Sequence, residues 1–208
     1  MIVIIDYGMG NLHSVYNALT TIGATCKISS NPEDIKTADG VILPGVGAFE
    51  DSMKNLSKRN LITPIKEAVA MKKPFLGICL GMQVLFENGE EGNGSKGLGI
   101  LKGNVIKMVD PSVKIPQIGW NRLEIQRETN LWNKDYLPFV YYVHSYYVSD
   151  YDVEDLVAYS DYGSMKVPGY FQKENVYAMQ YHPEKSGEDG LAMLKNFKEI
   201  CDDYTTSN

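Results

Sequence analysis

The segment Phe75-Leu76-Gly77-Ile78-Cys79-Leu80-Gly81-Met82-Gln83 decides the fold. Residues 73–78 read as a buried strand running straight into Cys79, and 80–86 carry helical spacing. A strand that ends in G-x-C-x-G before a helix is the cysteine form of a nucleophile elbow. The turn is too sharp for side chains two residues either side of the nucleophile, so Gly77 and Gly81 flank it. The nucleophile itself is held in a strained conformation that presents its side chain. The helix N-terminus favours thiolate over thiol, and the backbone N–H of Leu80 is aimed where an oxyanion would form. A free cysteine on its own is usually a buried structural residue. The flanking glycines make Cys79 the nucleophile, whereas Cys26, mid-strand, and Cys201, in the last helix, keep the structural reading.

Upstream of the elbow, strand and helix alternate. Residues 2–6 form an apolar strand; 11–22 place Leu12, Val15, Tyr16 and Leu19 at helical spacing, and Gly23 stops that helix. A strand over 25–29 follows, then a short helix opened by Asn31 as cap with Pro32 at the first helical position. A third strand, 40–43, leads into Pro44-Gly45-Val46-Gly47, and helical spacing returns over 48–57 and 61–71. This alternation implies crossover connections and a largely parallel sheet covered on both faces. Beyond the glycine-rich stretch 88–99, the segments 98–109, 123–126, 139–148, 156–162 and 176–181 are short and rich in β-branched and aromatic residues. They read as hairpins and mixed-sheet strands. Residues 188–200 form an amphipathic helix that packs back on the sheet. The expectation is one α/β domain over residues 1–208, with a largely parallel or mixed central sheet flanked by helices and a β-rich second half.

Composition narrows the function. Of 208 residues, 44% are apolar and 22% charged, as in ordinary globular proteins, and the net charge of −6 argues against a nucleic-acid binder. No apolar run is long enough to span a bilayer, and the apolar N-terminus reads as a first core strand rather than a signal peptide. Three cysteines without the spacing of a disulfide framework or zinc site point to a reducing cytoplasm, and three histidines without an HxxxH pair give no reason to expect a metal. The Gly8-Met9-Gly10 turn is not a dinucleotide fingerprint, because His13 stands where the third glycine belongs and no acidic residue follows at the later strand end. No cofactor is expected.

A second chemical signal is Gln180-Tyr181-His182-Pro183-Glu184-Lys185-Ser186. Pro183 biases His182 to an extended backbone, and in an extended segment residues i and i+2 share a face. His182 and Glu184 would therefore project together, a general base oriented by a carboxylate. On its own this could be a solvated loop; beside the elbow it completes a Cys79–His182–Glu184 triad. Pro44-Gly45-Val46-Gly47 follows a strand where a second oxyanion donor should lie, and its glycines allow a close approach of backbone to substrate.

Gly-Ile-Cys-Leu-Gly-Met-Gln at 77–83, Pro-Gly-Val-Gly at 44–47 and His-Pro-Glu at 182–184 resemble the class I (triad) glutamine amidotransferases, whose fold is flavodoxin-like. More narrowly, Asp6-Tyr7-Gly8-Met9-Gly10-Asn11-Leu12, Gly119-Trp120-Asn121, Tyr142-Val143-His144-Ser145-Tyr146 and His-Pro-Glu-Lys-Ser at 182–186 resemble the glutaminase subunits of imidazole glycerol phosphate synthases. The resemblance implies that Cys79 attacks the amide of L-glutamine to form a thioester, with His182 shuttling protons and Glu184 orienting it. Val46 or Gly47, with Leu80, would supply the oxyanion N–H groups. Gln83 and Glu91, with the backbone near Ser145, would hold the amino-acid end of glutamine. Tyr141 and Lys185 lie where this family meets its synthase partner, a (β/α)8 barrel that forms a heterodimer with the glutaminase. That barrel takes the ammonia to make imidazole glycerol phosphate and AICAR in histidine biosynthesis. A chain of this length has no room for the synthase, so the acceptor chemistry would lie on another chain.

Two stretches depart from the subunit pattern. Gln117-Ile118 follows Ile115-Pro116 where a histidine is usual, and 165–172 lacks an alanine-containing pattern. Neither touches the triad, but both leave room for a paralogous subunit that feeds another synthase, such as one aminating surface sugars. From other classes, a non-glutaminase cysteine hydrolase and an inactive scaffold subunit are the remaining readings. Gln83 and the His-Pro-Glu context oppose the first, and the complete triad opposes the second.

Overall fold

The computed structural model describes residues 1–132 and 137–207. The first half runs β1 (Ile2–Ile5), α1 (Leu12–Thr21), β2 (Cys26–Ser29), α2 (Pro32–Thr37), β3 (Gly40–Gly45), α3 (Phe49–Lys58), α4 (Ile62–Ala70), β4 (Phe75–Cys79) and α5 (Leu80–Gln83). The second half is short strands: β5 (Asn88–Gly89), β6 (Ser95–Lys96), β7 (Asn104–Lys107), β8 (Gln117–Arg122), β9 (Glu124–Ile125), β10 (Phe139–His144), β11 (Tyr146–Ser149), β12 (Leu156–Tyr162), β13 (Met165–Lys173) and β14 (Val176–Met179). The 21-residue α6 (Gly187–Ser207) closes the fold.

The central sheet has the order β2-β1-β3-β4-β14-β13-β12-β9. Its first five strands are parallel and the remaining three antiparallel. Residues alternate between the faces as a period of two demands. Val3, Ile5, Val41, Leu43 and Phe75 join one core cluster, with Leu56 of α3 and Ile65 and Ala68 of α4. Ile2, Ile4, Ile42, Leu76 and Ile78 join the other, with Val15 and Leu19 of α1 and Met193, Leu194 and Phe197 of α6. Each fully buried side chain of this kind contributes roughly 1.5–3 kcal/mol relative to exposure, so a one-residue slip of any central strand would be prohibitive. Asn31 caps α2 by accepting from the Glu33 N–H at 3.1 Å, with Pro32 in the first turn, as the sequence predicts.

Three expectations are corrected, and one strand is added that the sequence reading passed over. The helix expected over 80–86 ends at Gln83, because the carbonyls of Val84, Leu85 and Phe86 accept from the returning backbone at Leu98, Ile100 and Gly99 instead. Only Asn104–Lys107 of the segment 98–109 is a strand. The strand expected over 139–148 breaks at Ser145: β10 pairs with β8, β11 pairs with β7, and the Ser145 carbonyl accepts from Met108. The added strand, Met165–Lys173, is the longest among the described residues although it contains Pro168-Gly169. Pro168 is tolerated because it faces Tyr159 immediately beside a register shift of β12, where ladder bonding is already irregular.

Candidate active site

Cys79 ends β4 with φ 54° and ψ −115°, a conformation that costs energy for any residue with a side chain. The neighbouring backbone shows why glycine flanks it. A Cβ on Gly81 would lie 1.8 Å from the Leu43 carbonyl oxygen, and one on Gly77 would lie 2.8 Å from Met82 Cα. The elbow therefore packs directly on β3, whose Gly45 pairs in register with Cys79. That pairing starts the Gly45-Val46-Gly47 turn beside the sulfur, and Gly47 sits at φ 105°. Since α5 is only four residues long, its dipole is short, and the charge partner of the sulfur must come from elsewhere.

That partner is His182. Its side chain and that of Glu184 are only 3% and 1% exposed, and Nδ1 meets Glu184 Oε1 at 2.8 Å. The two do not project from an extended segment as the spacing predicts. His182 is extended, but Pro183–Lys185 forms a single 3-10 turn that folds Glu184 back under the ring. Burial, the largest single influence on His182, pulls its pKa down; the Cys79 sulfur and the Glu184 carboxylate together outweigh it and hold the ring above its ordinary value. Nε2 makes no hydrogen bond of ordinary geometry, and the sulfur is the group that acts on it. The imidazolium is the form of His182 that this balance favours.

The turn is stitched to β10. The His182 N–H donates to the Tyr141 carbonyl at 2.9 Å, the Tyr141 N–H donates to Ser186 Oγ at 3.0 Å, and Ser186 Oγ donates to the His182 carbonyl at 2.6 Å. The Lys185 ammonium lies 6.0 Å from the Tyr141 ring centroid, and Trp120 packs edge-on against the same ring. Ile118, Trp120 and Phe139 of the β8–β10 ribbon are all exposed beside them, which makes an apolar face flanked by cations.

A cavity of about 160 Å³ opens on the sulfur. Val46, Gly47, Leu80, Gln83, Glu91, Ser145 and His182 all line it, so every residue singled out for oxyanion or substrate binding borders one space. It is well below the ~300 Å³ that drug-sized ligands need, and suits a molecule of amino-acid size. A larger groove of about 520 Å³ runs along β5–β7, but it pairs no nucleophile with a base, so chemistry rather than size locates the site. Glu91 Oε2 accepts from the Phe49 N–H at 2.7 Å and so anchors the start of α3 at the cavity wall. Gln83 spends both N–H groups on the protein, donating to the Tyr146 carbonyl and to Gln180 Oε1, each at 2.9 Å. His144 donates from Nδ1 to the Tyr146 carbonyl at 2.8 Å; burial pulls its pKa down to about 4, so its ring is neutral and Nε2 is a bare acceptor. Gln180 was not singled out from sequence, yet its Nε2 lies 3.9 Å from Cys79 Sγ. Its place two residues before His182 was the only signal for it.

Comparisons with known proteins place the chain in a family. The family described as glutamine amidotransferase class-I matches residues 3–200. The chain is 52% identical over 208 residues to the imidazole glycerol phosphate synthase subunit HisH of Bacillus cereus strain G9842, covering all of this chain and 98% of that one. It is 50% identical, with the same coverage, to the subunit of that name from Bacillus thuringiensis subsp. konkukian. A solved structure described as a glutamine amidotransferase superposes with a TM-score of 0.76 over 97% of this chain and 100% of its own, at 16% identity, which is a likeness of fold. With its family's match spanning nearly the whole chain and half its residues shared with these relatives, the chain belongs to the class-I glutamine amidotransferases.

Proposed function

We propose that this chain is the glutaminase subunit of an imidazole glycerol phosphate synthase, hydrolysing L-glutamine to glutamate and ammonia for use in histidine biosynthesis. The observation that carries the chemistry is the elbow sulfur facing a buried His182–Glu184 pair across a cavity of amino-acid size. The Cys79 thiolate attacks the side-chain carbonyl carbon of glutamine. The oxyanion that forms is met by the N–H of Leu80 and by an N–H of the Val46-Gly47 turn. His182, held protonated by its two neighbours, gives its proton to the nitrogen as the C–N bond breaks and ammonia leaves. The remaining thioester is cleaved by water, whose proton His182 takes, which releases glutamate and restores the thiolate. Glu184 keeps Nδ1 protonated and Nε2 toward the reaction throughout.

The partner is a (β/α)8-barrel synthase forming a heterodimer. Support comes from the names of the relatives and from the apolar face of Ile118, Trp120 and Phe139 beside Tyr141 and Lys185. A face of this kind, joined by backbone bonds to the His182 turn, can both dock a barrel and report its state to the site. Ammonia set free in bulk water would be protonated and lost, so release must be sheltered by that partner. A cytoplasmic setting fits three cysteines that are all free thiols.

Cys79→Ala tests the assignment. Glutamine-dependent synthase activity in the complex should vanish while activity with added ammonia persists, because only ammonia generation needs the thiolate. An electrophilic glutamine analogue should label Cys79 and spare Cys26 and Cys201, whose thiols burial pushes up. Glutamine turnover that survives Cys79→Ala, or a label that maps to either other cysteine, rules the proposal out.

A further inference from the structure

We infer that Gln180 is a positioning residue for the nucleophile, aiming a fixed N–H donor at the Cys79 sulfur; this rests on Cys79 being the glutaminase nucleophile. The argument starts from one atom. The Tyr146 backbone carbonyl can only accept, so the amide of Gln83 must turn its nitrogen toward it, at 2.9 Å. The second N–H of that nitrogen then points at Gln180, also at 2.9 Å, and only the Gln180 oxygen can receive it. With its oxygen so committed, Gln180 has only its NH2 group left to face Cys79 Sγ, 3.9 Å away. The orientation of the amide against the sulfur is thus dictated by a carbonyl three groups distant.

Gln180 has no freedom to do otherwise. It is wholly buried, and its own backbone N–H is held by the Gly169 carbonyl at 2.9 Å. The thiol also meets the Val143 carbonyl at 4.0 Å, an acceptor that favours the protonated sulfur. The two contacts therefore oppose each other: S–H can donate to Val143, whereas S⁻ can only accept, from Gln180 and from His182. Hydrogen bonds to an ionised acceptor are shorter and about twice as strong as neutral ones, so ionisation tightens the Gln180 contact and releases that of Val143. The amide also restrains where the sulfur lies as the tetrahedral intermediate forms, which a mobile thiolate in a strained elbow would not ensure. Gln180 carries no proton in the reaction and touches no substrate atom.

The test is alkylation of Cys79 by iodoacetamide in the full chain, followed by peptide mapping across a pH series. In Gln180→Leu, which keeps volume and removes the donor, the profile should move upward by about one pH unit, so that alkylation on its acid limb slows roughly tenfold. At the alkaline plateau, where the sulfur is fully ionised in both proteins, the rate should agree within about twofold. Gln83→Met provides an uncharged route with Gln180 intact. It removes the N–H that commits the Gln180 oxygen, so the amide is free to turn and the profile should move in the same direction, by less than in Gln180→Leu. Profiles that superimpose on wild type, or rates that fall equally at every pH, overturn the inference, the second by showing a merely structural effect. If wild-type Cys79 is alkylated no faster than Cys26 and the complex with the synthase does not hydrolyse glutamine, the glutaminase reading fails, and this inference with it.

Discussion

Replacing Glu184 by glutamine changes one atom and should cost the chain nearly all of its glutaminase activity. Glu184 Oε1 receives the Nδ1–H of His182 at 2.8 Å, and Oε2 is buried without a partner. In the variant the amide has two placements, and both fail. With its oxygen toward Nδ1, the NH2 group sits where Oε2 was, next to no acceptor, at a cost of about 1–3 kcal/mol for a buried orphan. Flipped, it aims N–H at Nδ1, forces the proton to Nε2, and leaves His182 in the tautomer that cannot accept from the substrate side. Loss of the carboxylate charge also removes one of the two influences that outweigh burial, so the imidazolium is no longer favoured. The expected fall in kcat, measured with the synthase partner, is about 10³–10⁴-fold, the scale for a triad acid turned to its amide.

Stability supplies a second readout. The folded pKa of His182 lies above its ordinary 6.5, so its protonation stabilises the fold fully below about that pH and the contribution is lost as pH rises through the folded value. Thermal melts of wild type should therefore decline from neutral into alkaline pH, and Glu184→Gln should flatten that decline. A variant retaining more than about a tenth of wild-type kcat, or a melt profile of unchanged slope, would refute the orienting role; the first bound is far above the loss expected for a wrong tautomer.

Three further outcomes are expected. Gly81→Ala drives a Cβ to 1.8 Å from the Leu43 carbonyl oxygen, and urea unfolding should show a loss of about 3 kcal/mol or more, the upper range for overpacking against a rigid backbone; a loss below about 1 kcal/mol would mean that β3 and the elbow separate easily. The isolated chain should turn glutamine over slowly and rise by orders of magnitude when the synthase binds its own substrate. In that case Gly47→Ala, which strains φ 105° and crowds Met9 Cε at 2.7 Å, should lower the stimulated rate by about 10²–10³-fold through loss of an oxyanion donor; full activity in the lone chain contradicts such gating.

Much of the site was legible because its decisive signals are local. The glycines at 77 and 81 announce the elbow, and the spacing of His182 and Glu184 announces an oriented base, whatever path the chain takes between them. The parallel half of the sheet was legible for the same reason: periodicity and caps act over a few residues. Where the reading went astray, a distant segment had intervened. The helix after Cys79 stops at Gln83 because the chain at 98–100 takes its carbonyls, and the run 139–148 breaks because two different strands, β8 and β7, claim its halves.

From sequence alone came the candidate chemistry of this protein, a cysteine nucleophile with its base and carboxylate, and the kind of α/β sheet that presents them. Tertiary structure alone decided how those groups are tuned. Only the register of Gly45 with Cys79 puts the second glycine turn beside the sulfur, only a 3-10 turn brings Glu184 under the ring, and only burial sets a pull on His182 that its neighbours must outweigh. Nor could any pattern of spacing show Tyr146 orienting Gln83, Gln83 orienting Gln180, and Gln180 facing Cys79. The physical reason is range. Backbone preference and side-chain periodicity are written in neighbouring residues, whereas hydrogen-bond direction and desolvation depend on groups that meet only when the sheet has closed.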